Sequence, residues 1–409
     1  MINRKNLKCK ICSSKTESII NFGSMPIANG FVDKISQDKY RFNLGVAFCP
    51  NCYMVQLMET VEPQKMFNKN YHFLSSTSNA MAKHFQEVAQ EIIEAISRKK
   101  DKFVVEIGSN DGIMLKHIVA KKIKHLGVEP SENVANMSKK YGVNAVTEFF
   151  NQDTALKMVK KYGNADVIFG ANVICHIENI NSVFEGVSIL LKENGVFFFE
   201  EPYIYDIVRK FSFDQIYDEH IYFYSGLSVG ELAKRNGLQL VDMKHQNVHG
   251  GSMRYYIKKG KENRISKRMN NYILKEKAIN LHKIRGYIKF SDNVNKVCRD
   301  LKILLLKIKK EGNTIFAYGA TSKSTTLLNY AGIGHEIINC IYDTTPTKIN
   351  KYTPGTHIPV KSYNLFKKEK SKYALLLAWN HRKEILLKEK EYIKKGGKFI
   401  TFFPKVRVE

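Results

Sequence analysis

Four cysteines near the start of the sequence carry its most explicit chemistry. Cys9-Lys-Ile-Cys12 and Cys49-Pro-Asn-Cys52 form two CxxC pairs. Four thiolates offered from two tight turns match the tetrahedral sulfur site of a structural zinc ion. A catalytic zinc keeps one position open, and four cysteines leave none. The competing reading is a redox pair, but neither CxxC sits in the strand-to-helix context of a thioredoxin-like motif. Cys175, Cys298 and Cys340 are isolated. The two pairs stand far apart for a lone zinc ribbon, so the clasp is expected to tie down a small domain and supply part of its folding energy.

A second constellation lies in VVEIGSNDG. An acid, Glu106, ends an apolar strand-like run, and Gly108 and Gly112 follow it. Glycine lets a backbone approach a bound ligand closely and adopt conformations that a Cβ makes costly. Glu129, at the end of the next strand-like run, stands where a carboxylate grips ribose hydroxyls. A dinucleotide is the obvious competitor, yet the loop lacks the third glycine of that fingerprint. An acid ahead of the first glycine suits the cationic amino acid portion of S-adenosylmethionine instead. Further on, GATSKS joins a strand to a helix start. Such a turn offers backbone N–H groups to an anion, and Lys323 adds a point charge. It lacks the spacing of an ATP-binding P-loop. Holding part of a sugar nucleotide is one reading, and a plain cap-and-turn is the other.

These residues need a framework, and 409 residues provide room for two or three domains with their own cores. Residues up to about 70 hold the cysteine pairs, a β-like stretch at 46–48 and a glycine- and proline-marked loop at 23–32. Residues 78–97 read as an amphipathic helix capped by Ser78, with Met81, Phe85, Val88, Ile92, Ile93 and Ile96 at helical spacing. Strand signals at 103–107, 125–128, 143–146, 167–170 and 196–200 alternate with helical ones such as 113–121 and 182–191. Alternation of this kind implies a mostly parallel sheet with right-handed crossovers. A strand pair at 238–246 and 252–258 closes it, and 263–310 reads as a lysine-rich helical bridge. Strands at 313–318, 337–342, 373–379 and 398–402, with a helix at 325–330, suggest a second, smaller Rossmann-like unit. The expected α/β architecture is therefore an N-terminal zinc-binding domain over 1–70, a Rossmann-like domain over 71–260 and a second one over 261–409.

Composition narrows the function classes. An apolar content of 44% belongs to a globular chain and excludes extended disorder. The longest apolar runs have strand length, so no membrane partner is expected. The opening MINRKNLKCK has positive charge with no apolar stretch behind it, unlike a secretory signal, and a cytoplasmic location is the expectation. The net charge of +26 raises the question of nucleic acid. Its lysines, however, are spread over amphipathic segments such as 302–310 and 388–395, and no arginine-rich arm appears. A solvated basic surface that attracts polyphosphate substrates is the simpler reading, and no nucleic-acid partner is expected.

The collinear series CPNCYMVQL, YHFLSSTS, EIGSNDG, GVEPSENVA, ANVICHIENI, IYDEHIYFYS, VHGGSMRYY, YGATSKSTTLLNYAGI, YTPGTHIPV and LLLAWN resembles the zinc-containing sugar C-methyltransferases of deoxysugar biosynthesis over nearly the whole chain. One departure is visible: the family usually has Tyr-His-Glu-His where this chain has Tyr217-Asp218-Glu219-His220, which bears on substrate preference. The resemblance implies a class I methyltransferase fold for the central domain. It also implies S-adenosylmethionine and structural zinc as cofactors, and an NDP-4-keto-deoxysugar methylated at carbon 3. A ketone acidifies the neighbouring C–H bond, a neutral imidazole removes the proton, and the enolate takes the methyl group. In this reading His220 is the base and Glu219 orients the cofactor or His220. Tyr71, His176 and Tyr217 complete the wall around the sugar as candidate donors to the developing oxyanion. Asn110, Asn172 and Phe150, with Phe149, join Glu106, Gly108, Gly112 and Glu129 around the cofactor, and Arg254 joins Lys323 for the substrate. The alternatives are an O- or N-methyltransferase on the same scaffold, a zinc-containing nucleic-acid-binding protein, and an inactive sugar-nucleotide-binding scaffold. Oligomeric state is not written in these motifs, and a monomer is compatible with them.

Overall fold

The computed structural model of the chain describes residues 7–62, 79–369 and 371–409. The N-terminal unit is built on three antiparallel strands, β1 (Glu17–Met25), β2 (Phe42–Phe48) and β3 (Val55–Leu57). β2 sends Phe42, Leu44, Val46 and Phe48 into one apolar cluster, alternate residues of a strand sharing a face. The expected stretch at 46–48 is thus the end of a longer strand. β1 overlaps a segment that reads as a loop. Its register shifts between Ser18 and Ile20 and again between Asn21 and Gly23, and such bulges break the alternation that announces a strand.

The central unit follows. Helix α1 (Asn79–Ala95) buries Phe85, Val88, Ala89 and Ile92; Ser78, its expected cap, lies outside the described residues. Then come β4 (Phe103–Ile107), α2 (Leu115–Val119), β5 (Lys124–Val128), α3 (Glu132–Ser138) and β6 (Ala145–Val146). After them lie α4 (Gln152–Tyr162), β7 (Ala165–Ala171), α5 (Ile180–Leu190), β8 (Leu191–Pro202) and α6 (Ile204–Lys210). A short strand β9 (Tyr222–Phe223), α7 (Gly226–Arg235) and the hairpin β10 (Leu238–Gln246) with β11 (Ser252–Lys259) complete it. The seven-stranded sheet has the order β10-β11-β8-β7-β4-β5-β6, and β8, β7, β4, β5 and β6 run parallel. Strand β4 sends Phe103, Val105 and Ile107 into one apolar cluster and Val104 into another. Helices cover both faces, which is why a parallel strand reads as a continuous apolar run. Strand order reverses at β4 and β7, and ligands of such sheets bind beyond the carboxyl ends of the strands at that point.

β9 leaves this sheet and joins the N-terminal one. Val55 pairs with Phe223 and Gln56 with Tyr222, and the Leu57 N–H donates to the Ile221 carbonyl at 2.8 Å. The zinc unit and the IYDEHIYFYS segment are therefore one hydrogen-bonded structure.

The expected helical bridge at 263–310 divides into α8 (Lys267–Ala278) and α9 (Arg285–Lys310). Between them the chain turns through Asn280, whose φ is +60°, and buries Leu281 beside Tyr287. The last unit contains β12 (Ile315–Tyr318), α10 (Ser324–Ala331), β13 (Ile341–Asp343), β14 (Val360–Ser362), β15 (Tyr373–Leu376), α11 (Arg382–Lys388), α12 (Lys390–Lys394), β16 (Lys398–Thr401) and β17 (Arg407–Val408). Its six strands have the order β14-β13-β12-β15-β16-β17, all parallel except the last pair. The strand expected at 337–342 is extended only from residue 341, and it runs on to 343. Ile337 and Ile338 instead enter an apolar cluster that runs from Phe22 and Phe48 of the N-terminal sheet through α9 to Ile315 and Leu375. The first and last units thus share one core. No helix among the described residues is long and apolar enough to cross a membrane.

Candidate functional site

The two cysteine turns are near-copies of each other. The Cys9 N–H donates to the Ser14 carbonyl and the Ser13 N–H to the Cys9 carbonyl, with Ser13 at φ +60°. The Cys49 N–H likewise donates to Met54 and the Tyr53 N–H to Cys49, with Tyr53 at φ +61°. The turns face each other, with Cys9 Sγ 3.5 Å from Cys52 Sγ and Cys12 Sγ 3.5 Å from Cys49 Sγ. All four sulfurs lie within 4.8 Å of one another. Zinc–sulfur bonds of about 2.3 Å give a tetrahedron with edges of about 3.8 Å, so the set fits zinc with little adjustment. Gln56, buried beside the turns, accepts the Lys10 N–H at 3.1 Å and holds the first turn against β3.

At the carboxyl end of β4 the chain passes through Gly108 at φ +67°, Asn110 at +48° and Gly112 at +79°. A Cβ on Gly108 would lie 2.6 Å from the Val173 side chain, so the loop beyond β4 is pressed against the loop beyond β7. Asn172 in that second loop has φ +52°, a conformation asparagine tolerates better than most residues. Glu129 ends β5. Its two carboxylate oxygens accept the Asn110 N–H at 3.1 Å and the Ser131 N–H at 3.0 Å. Burial raises the Glu129 carboxyl and these two amides oppose that. Glu106 is buried deeper. Burial, with Asp111 and Glu129 nearby, pushes its carboxyl well above the usual range. Glu106 Oε2 and Ser109 Oγ have no hydrogen-bond partner among the described residues. A crowded buried acid of this kind favours a bound cation, which fits the ammonium and sulfonium of S-adenosylmethionine. Phe150 packs with Ile107 and Val128, while Phe149 is exposed.

The third cluster gathers around His220, which is buried on the segment between α6 and β9. Its Nδ1 lies 2.9 Å from the Gln215 carbonyl oxygen. A carbonyl only accepts, so the proton sits on Nδ1 and Nε2 presents its lone pair, here to the Tyr217 hydroxyl at 3.0 Å. The Thr326 hydroxyl from α10 donates to the Ile216 carbonyl at 2.7 Å, and the Ile221 N–H to the Cys175 carbonyl at 2.8 Å. His176 lies nearly parallel to His220 with ring centres 5.3 Å apart. Burial, then His176 and Lys323, hold the His220 imidazole well below its ordinary range. Burial also lowers His176 to about 4 and, with Lys323, His249 to about 3. All three are neutral near pH 7.

Carboxyls and lysines surround this trio. Burial and Asp218 push Glu219 up to about 8, opposed by Lys348. Asp218, pushed to about 6 by burial, accepts the Ala28 N–H at 2.8 Å, and its other oxygen has no partner among the described residues. Burial lowers Lys323, with Asp214 opposing; the ammonium lies 3.5 Å from the His249 carbonyl. Asp214 accepts the Trp379 indole N–H at 2.6 Å and is raised to about 7 by burial.

The structure thus brings His220, Glu219, Tyr217, His176 and Lys323 together, and separately gathers Glu106, Gly108, Asn110, Gly112, Glu129 and Asn172. Tyr71 lies outside the described residues. Arg254 corrects the sequence reading. Its buried guanidinium is engaged by Glu200 and Glu91, so it braces β11 against β8 and α1 rather than presenting free donors to a substrate. Sequence reasoning gives no role to Asp214, His249, Lys348 or Trp379, which meet only through tertiary packing. Glu201, which accepts the Val173, Ile174 and Cys175 N–H groups beside His176, carries a visible signal, a second acid at the end of the apolar run FFFEEP.

Three family models match in succession: "Putative zinc binding domain" over residues 9–67, "Methyltransferase domain" over 81–243 and "C-methyltransferase C-terminal domain" over 247–404. The C-methyltransferase NovU of Streptomyces niveus is 30% identical over 405 residues, covering 98% of this chain and 96% of that protein. Solved structures show a weaker likeness. An S-adenosylmethionine-dependent methyltransferase from Clostridium acetobutylicum is 13% identical with a TM-score of 0.34, covering 43% of this chain and 92% of its own. The CcbJ methyltransferase of Streptomyces caelestis is 12% identical with a TM-score of 0.34, covering 43% and 90%.

Proposed function

We propose, since this chain belongs to the zinc-containing, S-adenosylmethionine-dependent C-methyltransferase family, that its acceptor is an NDP-4-keto-deoxysugar and that carbon 3 is methylated through an enolate formed by His220. The observation that carries this reading is the neutral imidazole with its Nδ1–H tied to Gln215, which leaves Nε2 as the basic nitrogen, its lone pair accepting the Tyr217 hydroxyl until a substrate C–H takes that place. A base must be unprotonated to act, and burial keeps this one so. His220 Nε2 takes the proton from the carbon next to the ketone, and the electron pair moves onto the ketone oxygen. In this reading the Tyr217 hydroxyl, 3.0 Å from Nε2, donates to that oxygen once the sugar is bound. S-adenosylmethionine supplies an electrophilic methyl group, leaving a neutral thioether once the new C–C bond has formed.

In this reading Glu129 holds the ribose, Glu106 and the glycine turn hold the cationic amino acid end, and Asn110, Asn172 and Phe150 line the cleft. Lys323 and Lys348, whose ammonium groups burial holds below their ordinary range, take the diphosphate, whose negative charge favours their charged forms. Glu219 and His176 close the wall around the sugar. Replacing Glu129 with alanine removes a charged acceptor. S-adenosylmethionine is expected to bind about 10- to 100-fold more weakly by calorimetry; unchanged affinity would remove Glu129 from the donor site.

The acceptor assignment is tested in deuterated water with a panel of NDP-4-keto-deoxysugars. Deuterium is expected at carbon 3 before methylation, and with the methyl donor present the product gains one carbon-bound methyl. A methylated oxygen or nitrogen with no deuterium at carbon would place the enzyme with O- or N-methyltransferases and refute the enolate.

A further inference from the structure

Glu201 stands at the end of β8, wholly buried, with one carboxylate oxygen accepting three consecutive backbone N–H groups: Val173 at 3.1 Å, Ile174 at 2.7 Å and Cys175 at 3.1 Å. Its neighbour Glu200 points the other way, to Arg254 and to His84 on α1. The three amides open the single turn Ile174–His176. This turn joins two sites. On one side, Val173 presses on Gly108 of the donor loop. On the other, His176 lies alongside the His220 ring, and the Cys175 carbonyl receives the Ile221 N–H. His220 has anchors of its own on Gln215 and Tyr217.

We infer that Glu201 is a positioning residue that sets the loop between donor cleft and acceptor cleft, and so aligns the methyl donor with the carbon that His220 deprotonates. The inference rests on the enolate reading above. Without the carboxylate, three backbone N–H groups, two of them buried, lose their acceptor, which proteins avoid strongly. The 172–176 loop then moves to find other partners, while the base keeps both its anchors. Proton removal and methyl transfer are separate events with different geometric demands. A misplacement of about 1 Å costs on the order of 10²-fold in rate when two groups must meet in line. Proton exchange with solvent, which needs only the base and the sugar, suffers less.

The test measures two rates on the same NDP-4-keto-deoxysugar with the full-length protein: deuterium wash-in at carbon 3 without the methyl donor, and methylation with it. In Glu201→Ala the ratio of wash-in to methylation is expected to rise at least tenfold, with methylation falling about 10²-fold. Glu201→Gln keeps an acceptor oxygen at the same reach and is expected to restore the native ratio within a few fold. Glu201→Asp withdraws the acceptor by one methylene and is expected to raise the ratio, so the Asp and Gln variants carry the test if the alanine protein does not fold. Equal losses in both rates, or equal ratios in the Asp and Gln variants, would overturn the positioning role and leave the enolate reading intact. Absence of wash-in in the native protein would sink the enolate reading, and this role with it.

Discussion

Methyl transfer is expected to fall by about 10²–10⁴-fold when His220 is replaced by asparagine, the range that positioned proton transfer contributes. Asparagine is the informative choice. Its amide N–H can replace Nδ1–H as the donor to the Gln215 carbonyl, and the Nε2 lone pair is lost. Affinity for S-adenosylmethionine should stay near the native value, since the loops around Gly108 and Glu129 do not include this residue. Deuterium wash-in must disappear along with methylation. A variant that still exchanges the carbon-bound hydrogen at the native rate would eliminate His220 as the base. The pH profile offers a second check. Burial, His176 and Lys323 lower the imidazole well below its ordinary value. The competent neutral form therefore persists as pH falls through 6.5, and the acid limb of the rate profile should lie below the ordinary imidazole range of about 6.5. An acid limb at or above that value would contradict the electrostatics of the pocket.

Loss of zinc is expected to abolish catalysis without emptying the donor site. Structural zinc sites contribute about 10–16 kcal/mol of apparent binding energy in small domains, and that energy is folding energy. Cys52→Ser removes one of four ligands, and metal analysis should fall from one zinc per chain toward none. Hydrogen exchange should then accelerate in β2 and β3. The loss does not stop there, because β3 pairs with β9 through Val55–Phe223 and Gln56–Tyr222, two residues beyond His220. The base therefore loses the strand that follows it, while Asn110 and Ser131 still bind Glu129 in the central unit. Native turnover in a zinc-free protein with a disordered N-terminal sheet would contradict this coupling.

Local chemistry was legible and long-range chemistry was not. The CxxC spacing announced the metal turns because each turn is a few residues long. The apolar run ending in Glu106 announced β4 because both faces of that strand are covered. Bulges hid β1, and the turn at Asn280 hid the break between α8 and α9, since lysine-rich helical composition continues across it. Arg254 read as a free cation because its partners Glu200 and Glu91 lie 54 and 163 residues away. Asp214, Trp379 and Lys323 come from two units and have no common motif. The family resemblance, rather than spacing, singled out His220, and the tautomer-setting contact with Gln215 required coordinates.

The residues assigned to the donor belong to one unit, but those around the acceptor interlock across three. The Ala28 N–H meets Asp218, the Thr325 hydroxyl donates to the Ala28 carbonyl, and the Thr326 hydroxyl donates to the Ile216 carbonyl. Chimeras that exchange whole domains between relatives to alter sugar preference would sever these contacts at every natural boundary. Retargeting should succeed only when residues 26–30, 212–220 and 319–331 are transplanted as a single cassette, whatever crossover points the linear map suggests.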